Sequence, residues 1–499
     1  MISDRVRFVD PKDGTVRWAP AVLAFEPATG RFTAVEEGPG AVARARETAR
    51  QTGPQHRVDD QGDRPITPAF VNAHTHLALA FLRGPEVARG ALGNLVEDLF
   101  YVRERALFPE DVRAFVRMGA YESLLAGVGL VWDHYYFGDA VADGLRDTGL
   151  AGVVAPTLQD LAGPGAERTD AALATTEALA GRRELESRGI FAALGPHATD
   201  TVSGGTWRTA VDLARKLRLP IHAHLAQSAE EVARVEAREG AGPVPWLVRL
   251  GVLEEAPASV FAHGLFLRAS DLELLKEAGA SRGRLGHLLV HCPSAQAVFA
   301  FPAGVRRWAA RRLPFAVATD SAAGNDSMSL QKELRLVAAA RTVDLTAGPA
   351  YEAFFRGGTT ADAQGALAAV EHARAARHRD PETAALGAPA RLLERVFDLP
   401  GAAHPGFQAG TLSPGALASF IVWDHQHPSF WPASDLDRCL AYGDTTGAIH
   451  RMVVAGREVG RPGEVAQAVR ASDAYREARR EADDRLAALL ARLPPGRAT

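Results

Sequence analysis

Between Ile66 and Ser321 the chain repeats one pattern: a short apolar run, then a longer stretch whose apolar residues recur at helical spacing. The runs are Ile66 to His76, Leu130 to Tyr136, Gly152 to Leu158, Ile190 to Ala198, Pro220 to Ala226, Ser259 to Phe266, His287 to Pro293 and Pro314 to Ser321. Short buried strands alternating with helices argue for parallel pairing through crossover connections. Trp207, Ala210, Val211, Ala214 and Leu217 mark one face of such a helix, and Pro220 opens the next strand. Ser270-Asp271-Leu272-Glu273 has the form of a capping box, with Gly279 placed for a left-handed stop. Eight such units close into a (β/α)8 barrel, an α/β fold whose chemistry lies at the C-terminal ends of its strands. The barrel is expected over residues 66–405.

Polar residues fall at those strand ends. Side chains alternate faces along a strand, so His74 and His76 point the same way at the end of the first run. The fifth run carries His222 and His224, the sixth His263, and the eighth ends in Thr319-Asp320. His74, His76, His224 and Asp320 together offer three imidazoles and one carboxylate, a set that holds a single divalent ion and leaves room for water. Zinc is expected first, and iron accepts the same donors. His425 and His427 repeat the His-x-His pattern beyond the barrel and are read as surface residues. His222, one pleat deeper than His224, is read as a core residue behind the ligands, while His134 and His291 are candidates for the pocket wall.

This layout resembles the amidohydrolase superfamily, and within it the deaminase and chlorohydrolase branch. Pro68-Ala69-Phe70-Val71-Asn72-Ala73-His74-Thr75-His76, followed by Leu82-Arg83-Gly84, is similar to that family's first-strand signature. Gly195-Pro196-His197-Ala198, His222-Ala223-His224-Leu225, Ala262-His263-Gly264, Thr319 to Asp326 and Gly410-Thr411-Leu412-Ser413-Pro414-Gly415 resemble its later motifs. The resemblance implies that His197 contacts substrate and that Asp320 takes the proton of an attacking water. It also implies that His263 orients that water and stabilises the oxyanion. The reaction implied is metal-dependent hydrolysis of a C–N bond in a small nitrogenous or heterocyclic compound.

One position departs from the pattern. Three residues beyond the fifth-strand ligand, where the family's deaminases carry a proton-shuttling glutamate, this chain has Gln227. An amide cannot titrate, but it can orient a substrate by donating and accepting hydrogen bonds. Glu230 and Glu231, on the following helix, are candidates for the missing acid. Hydrolysis of a carbon–halogen bond or another amidine stays open, as does a barrel that binds metal or ligand but turns over poorly. Ala295 and Gln296 stand where relatives show Ser-Asn, and Ser419 where they show aspartate.

The absence of lysine between Lys12 and Lys216 favours one ion over the carboxylated-lysine bridge of binuclear relatives. Two cysteines, Cys292 and Cys439, are too few for a Cys-x-x-Cys clamp and fit a reducing cytoplasm. Gly279-Ala280-Ser281-Arg282-Gly283 matches a nucleophile-elbow pattern but follows a helix where a strand is required. With 56 basic against 60 acidic residues the chain has no electrostatic case for nucleic acid. Its first residues lack an apolar signal core, and no run is long enough for a membrane span.

The flanks, 1–65 and 406–461, alternate like strands, and in relatives such pieces form one small β-sandwich from both chain ends. The stretch from Val465 to Leu493, within 462–499, reads as a helix packed on the body, with a homodimer contact as its other role. Substrate specificity is assigned to the loops Arg83 to Leu99 and Leu161 to Asp170.

Overall fold

The computed structural model describes residues 1–10, 14–52, 58–84, 96–298, 304–346, 356, 359–379 and 381–493. The loop expected to set specificity from Arg83 to Leu99 therefore lies partly outside the described residues, over 85–95.

The eight barrel strands are Phe70–Thr75, Val128–Tyr135, Ala151–Leu158, Ile190–Ala192 continued by Gly195–Pro196, Ile221–Leu225, Ser259–His263, Leu288–His291 and Phe315–Val317. Every residue in them is buried, which is why they read as continuous apolar runs. They pair in parallel as two arcs, strands one to four and five to eight. A parallel bridge from Leu194 to Ile221 joins the arcs on one side. On the other side the seam is made differently. The Val71 and Val317 N–H groups donate to the carbonyls of Val396 and Arg395, at 2.7 and 3.0 Å. Asn72 and Thr319 bond each other directly, Nδ2 to Oγ1 at 2.7 Å and Thr319 N to Oδ1 at 3.1 Å.

The first run is not one strand. Pro68 has no N–H to donate, and the chain changes sheets there. Pro65–Pro68 belongs to the flanking domain, and Phe70–Thr75 to the barrel. The fourth run is also interrupted, and Gly195 explains how it passes its neighbour. A Cβ on Gly195 would stand 2.5 Å from the Pro156 carbonyl oxygen.

The helix Gly204–Leu217 buries Trp207, Ala210, Val211 and Ala214 as its spacing predicts, and Ser203 Oγ caps it. The helix Ala269–Gly279 is capped one step from the predicted box. Its Asp271 carboxylate accepts the Arg268 N–H at 2.8 Å, because the turn begins at Ala269. Gly279 is not a left-handed stop: its φ is −76°, and the chain runs on into the 3-10 turn Ala280–Leu285.

The small domain draws on both chain ends. Its strands lie in the order Arg457–Val459, Ile449–Val454, Phe420–Trp423, Pro65–Pro68, Ile2–Val9, Val16–Glu26 and Arg31–Glu37. Val6, Leu23, Phe32, Ile66, Phe420 and Val453 form its own apolar core together with Leu412, Ala416 and Ala418. Ser419 Oγ accepts the Ala455 N–H at 3.0 Å and so serves the packing of this domain. His425 is less exposed than expected of a surface residue: its side chain is 14% exposed and faces Asp63 at 3.2 Å.

The final segment forms two helices, Val465–Ala471 and Asp473–Arg492, separated at Ser472, whose Oγ accepts the Tyr475 N–H. The second lies on the barrel helix Pro109–Leu125 through Tyr475 against Tyr121 and ion pairs of Glu481 with Arg117 and of Arg492 with Asp111. No described helix is long and apolar enough to cross a membrane.

Candidate metal centre and active site

His74, His76 and His224 meet at the C-terminal mouth of the barrel, with their ligand nitrogens within 4.8 Å of one another. His76 Nδ1 donates to the His134 carbonyl at 2.5 Å, and His224 Nδ1 to the His197 carbonyl at 2.8 Å. Each bond places the ring proton on Nδ1 and turns the Nε2 lone pair inward. Those two Nε2 atoms stand 3.3 Å apart. Two nitrogens held ~2.05 Å from one tetrahedral ion lie about 3.3 Å from each other, so the spacing suits a shared cation.

His74 completes the set from below. Its Nδ1 is 2.9 Å from His222 Nε2, and its own Nε2 is buried without a hydrogen-bond partner among the described residues. A buried acceptor without a hydrogen-bond partner in that position suits a metal ligand. Asp320 Oδ1 lies 3.6 Å from His76 Nε2 and 3.9 Å from His74 Nε2. Burial, then the neighbouring imidazoles, hold His74 and His224 well below the usual histidine pKa, so both rings are neutral donors. The donors fit a divalent ion.

His263 stacks on His224 with ring centres 5.3 Å apart and planes 6° apart. Burial lowers its pKa while Asp320 opposes the shift. His263 and Asp320 both have left-handed backbones, with φ of 77° and 58°, and Ala226, just before Gln227, has 47°. Non-glycine residues rarely take these angles, and such strain concentrates where a fold aims side chains at a site.

A cavity of about 330 Å³ opens beside this cluster. His76, His134, His197, His224, Gln227, His263 and Asp320 line it, as do Ala295 and Gln296. His197 Nδ1 is tied to Thr201 Oγ1 at 2.9 Å. His74 and His222 lie beneath the cavity, and His291 is buried elsewhere in the barrel rather than in the wall. Glu231 is on the helix Ala229–Glu239, with its carboxylate turned inward to the Gln227 N–H at 2.7 Å and to Thr199. Burial pushes its pKa up to about 7. Glu230 is exposed at the cavity mouth.

Sequence reasoning missed Tyr101, Glu104 and Asp200, which also line the cavity. Glu104 is buried against Tyr135, and burial pushes its pKa up to about 7. The one available signal was Tyr101 and Glu104 at helical i, i+3 spacing, which puts a phenol and a carboxyl on one face.

The closed parallel barrel, with three histidines and an aspartate gathered at its C-terminal mouth, has the architecture of a barrel hydrolase and a donor set that could hold a metal ion. The chain belongs to the amidohydrolase family, whose family model matches residues 66–363, and it is a hydrolase acting on carbon–nitrogen bonds. It is 30% identical over 404 residues to a 5-methylthioadenosine/S-adenosylhomocysteine deaminase of Halobacterium salinarum, covering 80% of this chain and 82% of that one. A zinc-bound adenosine deaminase from Xanthomonas campestris has the same fold, with a TM-score of 0.70, 21% identity and 98% of each chain covered. So does the zinc complex of atrazine chlorohydrolase TrzN from Arthrobacter aurescens, with a TM-score of 0.72, 16% identity and coverage of 97% and 99%.

Proposed function

We propose that the chain is a mononuclear hydrolase that releases ammonia or an amine from a small nitrogenous compound held in the cavity beside His263 and Gln227. The observation that carries this is the pair of inward-facing Nε2 atoms of His76 and His224, 3.3 Å apart, with His74 Nε2 orphaned beneath them. His74, His76, His224 and Asp320 would hold one divalent ion, zinc before iron. When bound, the ion supplies a water whose pKa falls from ~15.7 toward about 7.

The remaining steps belong to the chain. Asp320 accepts the proton of the attacking water and returns it to the leaving nitrogen. His263 donates a hydrogen bond to the oxygen that gains charge, from a site already desolvated. His197, fixed by Thr201, and Gln227 orient the substrate. The free thiols Cys292 and Cys439 suit a reducing cytoplasm.

Elemental analysis of purified protein should find one zinc or iron per chain, and a chelator should abolish ammonia release from 5-methylthioadenosine, adenosine, amidines or triazines. Asp320→Asn should lower kcat by ~10²–10⁴-fold, the range for removing a general base. Two ions per chain, or full activity after the metal is stripped, would exclude this mechanism.

A further inference from the structure

We propose that the cavity recognises a cation, and that the substrate is an amidinium or guanidinium whose positive charge is met by Glu104 and Asp200. This rests on the hydrolase reading above and names the substrate class for the same site. Among the described lining residues, Glu97, Glu104, Asp200, Glu230 and Asp320 are acidic, and Arg234 is the one arginine or lysine. Arg234 is already committed, 2.5 Å from Glu97 and 3.3 Å from Asp200.

Two of these carboxylates are built into the wall. The Asp200 side chain is only 7% exposed, and its Oδ1 has no hydrogen-bond partner among the described residues. Glu104 is 5% exposed and packs beside the Tyr135 phenol with no arginine or lysine ion pair in the described structure. Glu104 is a buried carboxylate without a cation, which is costly, and Asp200, which shares Arg234 with Glu97, keeps an unbonded Oδ1; a cationic ligand removes the cost at the first and fills the acceptor at the second. Phe100, Tyr101 and Tyr136 line the same space and suit an apolar or aromatic substituent beside the charge.

The residue at 227 points to the same substrate. A neutral heteroaromatic ring must gain a proton before water adds to it, and the amide of Gln227 has none to give. An amidinium or guanidinium already carries its proton at neutral pH, since both are strong bases. The reaction balances without an added acid: one amidinium and one water yield one amide and one ammonium. A C–O bond forms, a C–N bond breaks, and the proton lost by water passes through Asp320 to the departing nitrogen.

The test compares benzamidine with benzamide, a neutral compound of nearly the same shape, by calorimetry on the metal-loaded enzyme, together with ammonia release from benzamidine and from 5-methylthioadenosine. Benzamidine should bind at least ~30-fold more tightly than benzamide, as a desolvated charge pair predicts. Glu104→Gln and Asp200→Asn should each collapse that ratio by ~5-fold or more, a readout that general loss of folding does not move. Equal binding of the two probes, or a ratio unchanged in both variants, overturns the proposal. Ammonia from 5-methylthioadenosine but none from benzamidine also overturns it, and leaves the C–N hydrolase standing. A strong benzamidine preference with no ammonia from any compound supports the charge recognition and defeats the hydrolytic reading instead.

Discussion

Gln227 and Glu104 are contrasting wall residues of the cavity, one an amide that cannot titrate and the other a buried acid. Restoring a titratable group with Gln227→Glu should raise ammonia release from neutral heteroaromatic compounds by ~10-fold or more, because protonation by a placed acid is worth at least that. Steady-state assays on adenosine and 5-methylthioadenosine check this, and a fall in activity on both would show that the native chemistry needs a neutral amide. Glu104 bears on stability. Its carboxyl ionises near 4.5 when unfolded and near 7 when folded, because burial disfavours the charge. The folded protein holds this proton more tightly than the unfolded chain, so the stability it contributes is complete below pH 4.5 and is lost as pH rises through 7. Glu104→Gln removes the titration, and between pH 4.5 and 7.5 the wild type should lose about 3 kcal/mol relative to the variant in urea denaturation. The histidines and Asp320 were legible in the sequence because they fall at or just beyond the ends of apolar runs, and the C-terminal ends of parallel barrel strands share one mouth. Glu104 and Asp200 were not. Each reaches the cavity from a short helix or loop, whose approach to the barrel depends on packing across distant residues.

At the scale of elements, the first and eighth barrel strands meet without a strand ladder between them. The seam is closed by the Asn72–Thr319 pair and by borrowed carbonyls at Arg395 and Val396. Asn72→Ala removes both side-chain bonds and leaves the buried Thr319 N–H unsatisfied, for an expected loss of ~2–4 kcal/mol in chemical denaturation. The same variant should release its metal to a chelator sooner, since Asp320 follows Thr319 and its N–H bonds the His74 carbonyl at 3.2 Å. All eight strands were readable from apolar runs, which buried parallel strands produce. Their interruptions were not: Pro68 switches sheets and Gly195 passes close to a carbonyl, and neither event changes the hydrophobic pattern.

Taken whole, the molecule is held by contacts between residues far apart in the chain. Arg7 of the first strand pairs with Asp437 at 2.9 Å, with side chains 1% and 11% exposed, and lies over the Phe397 ring. Arg7→Ala would strand a nearly buried carboxylate, and should cost ~3–5 kcal/mol in urea denaturation, whereas the double variant Arg7→Met/Asp437→Leu should recover most of it. That a domain would form from both ends was legible from strand-like alternation in each flank. The partner of Arg7 was not, because nothing in either segment marks which charge meets which. Pro65–Pro68 lies between Ile2–Val9, which precedes it in the chain, and Phe420–Trp423, which follows only after the whole barrel. A ribosome delivers chain from the amino terminus, so each nascent copy carries one unpaired strand edge until Phe420–Trp423 has emerged. Chains cut short before residue 420 should therefore clump through that edge, and full-length chains should escape this once their tails arrive.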